Sequence, residues 1–308
     1  MRQVNQLSPT LHIIINVNSG AASKMQTRRV LEEIFGASGI EARISVAETG
    51  TDLIDLARRA AEGFADTIVA GGGDGTVNAV ARALVGTNKR LGVLPLGTLN
   101  HFAKDLRIPL DLQGAARTII AGHTIAIDVG EVNGSTFINN SSLGLYPKIV
   151  RWRKRNQRLG HGKWPAFLWA AVTVFRRYPF LDVRLIVDGK KFETRTPFVF
   201  VGNNAYEMEG FNIGRRPRLD AGKLSLYVTN QTGRLGLIRT ALRALFKRLR
   251  QAKDFVAMRT TEVSVETRRK RVRVAMDGEV ALMKSPLRYR IRPLALRVIV
   301  PEDRQGPE

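Results

Sequence analysis

The sequence predicts an α/β domain followed by a mostly antiparallel β domain, and three observations predict it. In the first half, short apolar runs alternate with helical patterns through short loops, as in parallel α/β domains. From Ile125 onward, short alternating runs are joined by Asn-Gly and Asp-Gly pairs, which signal hairpins. The charge divides as well. Residues 1–147 hold 13 Lys+Arg and 13 Asp+Glu, whereas residues 148–308 hold 36 and 14, so the whole net charge of +22 lies in the second half. We place the α/β domain at 1–126 and the β domain at 127–286.

In chain order, Leu11 to Val17 reads as a buried first strand and Lys24 to Phe35 as a helix, joined by the turn Asn18-Ser19-Gly20. Ala42 to Ala47 is a second strand. Glu48 to Asp52 leads into a helix at 52–62, with Thr51 or Asp52 as its cap. Asp66 to Leu84 (DTIVAGGGDGTVNAVARAL) reads as a third strand, a glycine turn and a helix. Leu91 to Leu94 is a fourth strand, followed by the loop Pro95 to Asn100 and a helical piece from Phe102 to Leu106. In the β domain, Leu181 to Val187, Phe192 to Glu193, Phe198 to Val201, Lys223 to Thr229, Thr261 to Glu266, Arg271 to Met276 and Tyr289 to Arg292 read as strands. Asp188-Gly189 turns the first pair.

Composition excludes several classes. With no cysteine, neither a disulfide framework nor a thiolate-held metal is available. His12, His101, His123 and His161 have no metal-ligand spacing. The start, MRQVNQLSPTLH, has no apolar leader, and Pro165 to Phe175 as a helix would cover only about 17 Å, too short for a bilayer. We therefore expect a cytoplasmic protein.

The glycine turn carries the first chemistry. Thr67, Ile68, Val69 and Ala70 suit a buried parallel strand. Gly71, Gly72 and Gly73 remove every Cβ, so a phosphate can approach the backbone. The helix that follows offers free N–H groups and a favourable dipole to an anion. Asp74 is the odd member, because a carboxylate repels phosphate; it suits a metal ion, an ordered water or a proton. The loops at 18–20, 71–76 and 95–100 all fall at the carboxyl ends of strands, with Thr49 in a fourth loop, and together they could enclose a nucleotide. No GxxxxGK[ST] and no strand-following GxGxxG occurs, so this is neither a P-loop nor a dinucleotide fingerprint.

GGGDGTVNAV at 71–80, followed by GVLPLGTLNHFAKDL at 92–106, resembles the diacylglycerol kinase catalytic domain. It is more closely similar to bacterial soluble lipid kinases, relatives of sphingosine kinases and, remotely, of NAD kinases. The resemblance runs from Ile13 to about Leu296. It implies that ATP lies against Gly72, Gly73, Asp74, Gly75, Thr76, Val77 and Asn78, with Thr98 a second contact and Thr49 a third. It also implies an active cleft between the two domains and a chain end, 287–308, that returns to the first.

Met276-Asp277-Gly278-Glu279 reads on its own as a turn followed by a charged residue. The resemblance gives it a role: Glu279 as general base, with Asp277 as its partner. The base would take a proton from a lipid hydroxyl as that oxygen attacks the γ-phosphate of ATP, with Mg2+ bridging phosphate oxygens. In related sphingosine kinases the aspartate of the glycine loop is the proposed base, so Asp74 and Glu279 both stand as catalytic candidates. One departure concerns metal. Where relatives often carry Asp-Asp-Gly for a structural Mg2+, this chain has Asp220-Ala221-Gly222, leaving Asp220 as the one metal candidate, with Arg218 or Lys223 as substitute positive charge.

Two basic segments complete the reading. Lys148 to Arg177 holds nine Lys/Arg, no acid, and Trp152, Trp164 and Trp169. Arg234 to Lys253 holds seven Lys/Arg, no acid, and a leucine-rich stripe (Leu235, Ile238, Leu242, Leu245, Leu249) at helical spacing. Basic amphipathic segments of this kind suit an anionic membrane surface. We expect an ATP-dependent lipid kinase that associates peripherally with membranes, acting on a diacylglycerol-like lipid, phosphatidylglycerol or a sphingoid. The alternatives are a kinase of a soluble acceptor such as NAD, or a non-catalytic basic protein that binds nucleotide or nucleic acid. No RRM, zinc-knuckle or helix-turn-helix pattern accompanies the charge, so we expect no obligatory nucleic-acid partner.

Overall fold

The computed structural model describes residues 11–16, 21–144, 180–206, 208–209, 212–213, 216–229 and 255–302. The basic segments at 148–177 and 234–253 and the turn at 18–20 lie outside the described residues. The chain forms two compact units, 1–129 with 293–308, and 130–292.

The first unit is a parallel sheet with helices. Its strands are β1 (Leu11–Asn16), β2 (Ala42–Val46), β3 (Thr67–Gly72), β4 (Arg90–Pro95) and the end of β18 (Leu287–Ile299), in the order β2-β1-β3-β4-β18. The helices are α1 (Ala21–Ala37), α2 (Gly50–Glu62), α3 (Asp74–Leu84), α4 (His101–Asp105) and α5 (Leu112–Ala121). The strands are apolar runs because helices cover a parallel sheet on its faces. Ile13, Ile14, Ile15, Ile68, Val69 and Leu91 are fully buried, each side chain worth roughly 1.5–3 kcal/mol. The chain moves from β1 to β2 on one side and then to β3 on the other, so the strand order reverses between β1 and β3. Ligands of open α/β sheets bind at such a reversal, beyond the carboxyl ends of the strands. The register aligns those ends, pairing Asn16 with Gly72 and Gly72 with Pro95.

The second unit is β-rich. One six-stranded sheet runs β14 (Phe255–Thr260), β13 (Leu224–Thr229), β10 (Phe198–Asn203), β7 (Asn140–Gly144), β16 (Arg271–Met276), β17 (Glu279–Lys284). All of its pairings are antiparallel. A second antiparallel run joins the start of β18 to β15 (Glu262–Thr267), β8 (Leu181–Val187) and β9 (Lys190–Thr196). β5 (Thr124–Val132) pairs with β6 (Ser135–Phe137), and two short strands, β11 (Met208–Glu209) and β12 (Asn212–Ile213), pair with each other. The hairpin turns are the expected ones. Asn133-Gly134, Asp188-Gly189 and Asp277-Gly278 all have both residues at positive φ, as a type I′ turn requires. The core includes Tyr289, fully buried, packed edge-on against Phe137 at 6.3 Å and hydrogen-bonded to Ser141 at 3.1 Å. Burial raises its phenol above the usual range.

The structure corrects several sequence expectations. The second helix starts at Gly50, and its cap is Thr49, not Thr51 or Asp52; the Thr49 hydroxyl accepts from the Asp52 N–H at 3.1 Å. Asp52 in turn accepts from the Glu48 N–H at 2.9 Å, closing a reciprocal cap. Phe192-Glu193 is the middle of a seven-residue strand whose mostly exposed residues hid it. Helix α5 and strands β14 and β17 were not foreseen, although α5 carries ordinary signals, an Asp111 cap on Gly114 and a left-handed Gly122 stop.

Candidate active site

The glycine turn is built from a close approach of two loops. β3 runs buried to Gly72 and passes through extended Gly73 into α3. A Cβ on Gly72 would collide with the Thr76 side chain and lie 2.9 Å from the Asn16 carbonyl. Gly73 faces Gly97 of the next loop: a Cβ on Gly73 would lie 3.4 Å from the Gly97 Cα, and a Cβ on Gly97 would run into Gly73. The glycines of GGGDGT and PLGTLN therefore serve one another as well as any ligand. Leu96 N–H donates to the Gly72 carbonyl at 3.0 Å, extending the contact.

Two polar side chains lock this arrangement. Asp74 accepts the Phe102 N–H at 3.3 Å, which ties the start of α3 to the start of α4. Asn100, left-handed at φ 49 and buried, donates to the carbonyls of Pro95 at 3.1 Å and Gly97 at 2.8 Å and accepts the Gly97 N–H at 3.1 Å. The sequence reading missed Asn100. An asparagine at a left-handed position after a Gly-containing loop was the available signal. Thr76, Val77 and Asn78 are buried, so their side chains pack within the unit, whereas Gly75 and Thr98 are exposed. At the start of α3 the Thr76 and Val77 N–H groups donate to the Gly73 carbonyl at 2.9 and 3.1 Å, so an anion would meet the amides of Asp74 and Gly75 ahead of them. Thr49 is exposed, with its hydroxyl committed to capping α2.

The second candidate locus is the tip of the β16–β17 hairpin. Asp277 is held by the backbone of a distant segment. Its carboxylate accepts three consecutive backbone N–H groups, Ile138 at 2.9 Å, Asn139 at 2.8 Å and Asn140 at 3.1 Å. Its own N–H donates to the Asn140 carbonyl at 2.9 Å. The turn is thus pinned to the chain entering β7 by charge-assisted bonds, roughly twice as strong as neutral ones. Glu279 pairs in register with Met276 and is exposed at the tip of the hairpin. Ala281 and Met283, further along its side of β17, pack on the core.

The segment that holds Asp277 is itself held from its carbonyl side. Arg216, 2% exposed, donates to the Ile138 carbonyl at 2.6 Å, to the Asn203 carbonyl at 3.3 Å and to Asn139 Oδ1 at 2.8 Å. Its guanidinium also lies 5.5 Å from the Tyr206 ring centre. Asn203 donates to the Ile138 carbonyl at 2.9 Å and Tyr206 to the Asn139 carbonyl at 2.9 Å. A carboxylate on one edge of residues 138–140 and a guanidinium on the other fix the tip of the hairpin electrostatically. No local pattern marks Arg216, because every partner is distant in sequence.

Asp220 does not fit a structural magnesium ion. It is exposed, and its carboxylate is paired with Arg218 at 3.1 Å. The Ala221 N–H is taken by Asn204 Oδ1 at 3.1 Å. Among the described residues, no group of three or more His, Cys, Asp or Glu could hold a metal.

Residues 10–132 match the diacylglycerol kinase catalytic domain and residues 150–300 the YegS C-terminal NAD kinase beta sandwich-like domain. A protein of Klebsiella pneumoniae (strain 342) named "Probable lipid kinase YegS-like" is 37% identical over 140 residues, 44% of this chain and 47% of that one, so that match spans about half of the relative. A diacylglycerol kinase of Staphylococcus aureus (strain bovine RF122 / ET3-1) is 30% identical over 226 residues, 71% of this chain and 70% of the relative. One of Bacillus subtilis (strain 168) is 29% identical over 272 residues, 87% and 88% respectively. A crystal structure of a diacylglycerol kinase from Bacillus anthracis str. Sterne shares the fold, with a TM-score of 0.71 at 21% identity, covering 96% of this chain and 98% of that one. Fold and sequence together define an enzyme of the lipid kinase class. The chain belongs to the diacylglycerol kinase family.

Proposed function

We propose that this enzyme transfers the γ-phosphate of ATP to a hydroxyl of a membrane lipid, with Glu279 as general base. The observation that carries the reading is the anchoring of the Asp277-Gly278 turn by three backbone amides, which holds Glu279 at a defined, solvent-reachable position. ATP enters as its magnesium complex, a substrate. The glycine loop at 72–76 receives the phosphates through backbone amides at the start of α3, where Gly75 is open on its side-chain position and presents nothing to block them. Thr98 is exposed and available as a further contact. The Glu279 carboxylate takes the hydroxyl proton as the lipid oxygen bonds to the γ-phosphorus. The bond from that phosphorus to the bridging oxygen breaks, and ADP leaves with the electron pair.

Asp74 takes the part of an organiser in this scheme. Its carboxylate already accepts a backbone N–H from Phe102, so its first duty is to couple the two nucleotide loops. The segments at 148–177 and 234–253, with sixteen Lys/Arg and no acid between them, support delivery of the acceptor from an anionic membrane. The test is a panel of diacylglycerol, phosphatidylglycerol and sphingoid acceptors in vesicles with labelled ATP, with NAD in a parallel vesicle-free reaction. One labelled lipid, identified by mass, is expected. Label on NAD and on no lipid would overturn the assignment.

A further inference from the structure

We propose that the outward face of the β16–β17 hairpin, with the basic turn that precedes it, docks on the headgroups of an anionic lipid bilayer. The proposal rests on the reading that the acceptor is membrane-borne, and adds a surface outside the segments at 148–177 and 234–253.

Strand alternation divides the hairpin into two faces. Val272, Val274 and Met276 of β16, with Ala281 and Met283 of β17, belong to the core. The opposite face carries Arg271 and Arg273 on β16 and Leu282 and Lys284 on β17. All four are exposed, Leu282 at 59%. The register sets Arg271 against Lys284 and Arg273 against Leu282. Like charges directly opposite each other weaken a sheet, so the fold gains nothing from the first pair. An external anion would reverse that cost.

The adjoining turn adds Arg268, Arg269 and Lys270, all exposed. Arg268 is paired with Asp182 at 3.5 Å. Among the described residues, Arg269, Lys270, Arg271, Arg273 and Lys284 have no carboxylate within ion-pair distance. The turn is built firmly: Ser285 N–H donates to the Lys270 carbonyl at 3.0 Å, Thr267 N–H to Ser285 Oγ at 3.0 Å, and the Thr267 hydroxyl to the Arg269 carbonyl at 2.8 Å. Cations on a rigid strand face, flanking one exposed leucine, match a surface of phosphate headgroups above hydrocarbon.

The experiment is co-sedimentation of the full chain with vesicles of phosphatidylcholine alone or mixed with phosphatidylglycerol. The hairpin variant is Arg271→Glu/Arg273→Glu/Lys284→Glu. The control, Arg58→Glu/Arg59→Glu/Arg117→Glu, makes the same charge change on exposed positions of α2 and α5. We expect binding to the mixed vesicles only, weakened about tenfold or more in the hairpin variant and within about twofold of wild type in the control. Leu282→Asp, a single surface change, should weaken it several-fold and covers a misfolded triple variant. Equal losses in hairpin variant and control, no loss in either hairpin variant, or loss of single-stranded RNA binding in place of vesicle binding would overturn the proposal. Phosphorylation of a short-chain lipid in solution separates the two readings. The hairpin variant should keep the wild-type rate there, and a wild type without that activity that still binds vesicles would sink the kinase reading while leaving the docking surface standing.

Discussion

The glycine turn at 71–76 and the Asp277-Gly278-Glu279 turn use the same device, an aspartate whose carboxylate accepts backbone N–H groups, in opposite ways. Asp74 takes one N–H, Phe102, from the neighbouring loop of the same sheet. Asp277 takes three, from a segment more than a hundred residues earlier in the chain. The first turn is a steric construction in which missing Cβ atoms let two loops touch. The second is electrostatic, a hairpin tip clamped by charge so that one exposed carboxylate is held still. Nucleotide recognition tolerates a site made of backbone; proton transfer needs a positioned side chain.

The comparison breaks first at the clamp. Asp277→Ala strands three amides and should cost about 3 kcal/mol or more, at roughly 1 kcal/mol or more for each N–H left without its acceptor, read as a lowered urea midpoint with unchanged slope. Arg216→Met removes the donors on the other edge of the same segment and should cost around 2–3 kcal/mol. Combined with Asp277→Asn, its effect should be non-additive if the two groups hold one element. On the steric side, Gly97→Ala forces Gly73 away and should cost roughly 1–3 kcal/mol while reducing ATP affinity, measured by calorimetry. If affinity were unchanged, the touching of the two loops would not matter to the nucleotide. Thr49→Ala should cost about 1 kcal/mol by loss of a cap and leave ATP affinity nearly as it was; a marked loss of affinity would return that hydroxyl to the nucleotide.

The smallest effect is on pH. Burial, and then the charge of Arg43, lower the pKa of His12 below its ordinary 6.5 in the folded state. The unfolded chain therefore binds the proton more readily. The stability that His12 contributes is complete above pH 6.5 and is lost as pH falls toward its folded pKa. His12→Gln should flatten the acid side of the stability curve, and an unchanged slope would remove His12 from the account.

The first unit was largely legible in the sequence because its signals are local. Apolar runs gave β1, β3 and β4 to within a residue or two, and the loops of interest all fell at strand ends. The hairpin turns were equally legible from Asn133-Gly134, Asp188-Gly189 and Asp277-Gly278. The cap of α2 was misplaced because Thr49, which closes the helix, lies two residues before Thr51. β17 was hidden because, as an edge strand, it lacks a clean alternation. The Asp277 and Arg216 contacts could not be read at all. Their partners, Ile138 to Asn140, become neighbours only when β7 pairs with β16 and β10. At Asp220 the structure adds a neighbour two residues away that the sequence did not pair with it, the Arg218 guanidinium at 3.1 Å.

The most direct test of the central claim compares Glu279→Gln with wild type for both turnover on the vesicle lipid that accepts label and equilibrium ATP binding. The change keeps shape and removes the proton acceptor at an exposed position, so the fold should be unaffected. Turnover should fall about a hundredfold or more with ATP affinity unchanged. Full turnover in this variant would contradict the assignment of Glu279 as the base.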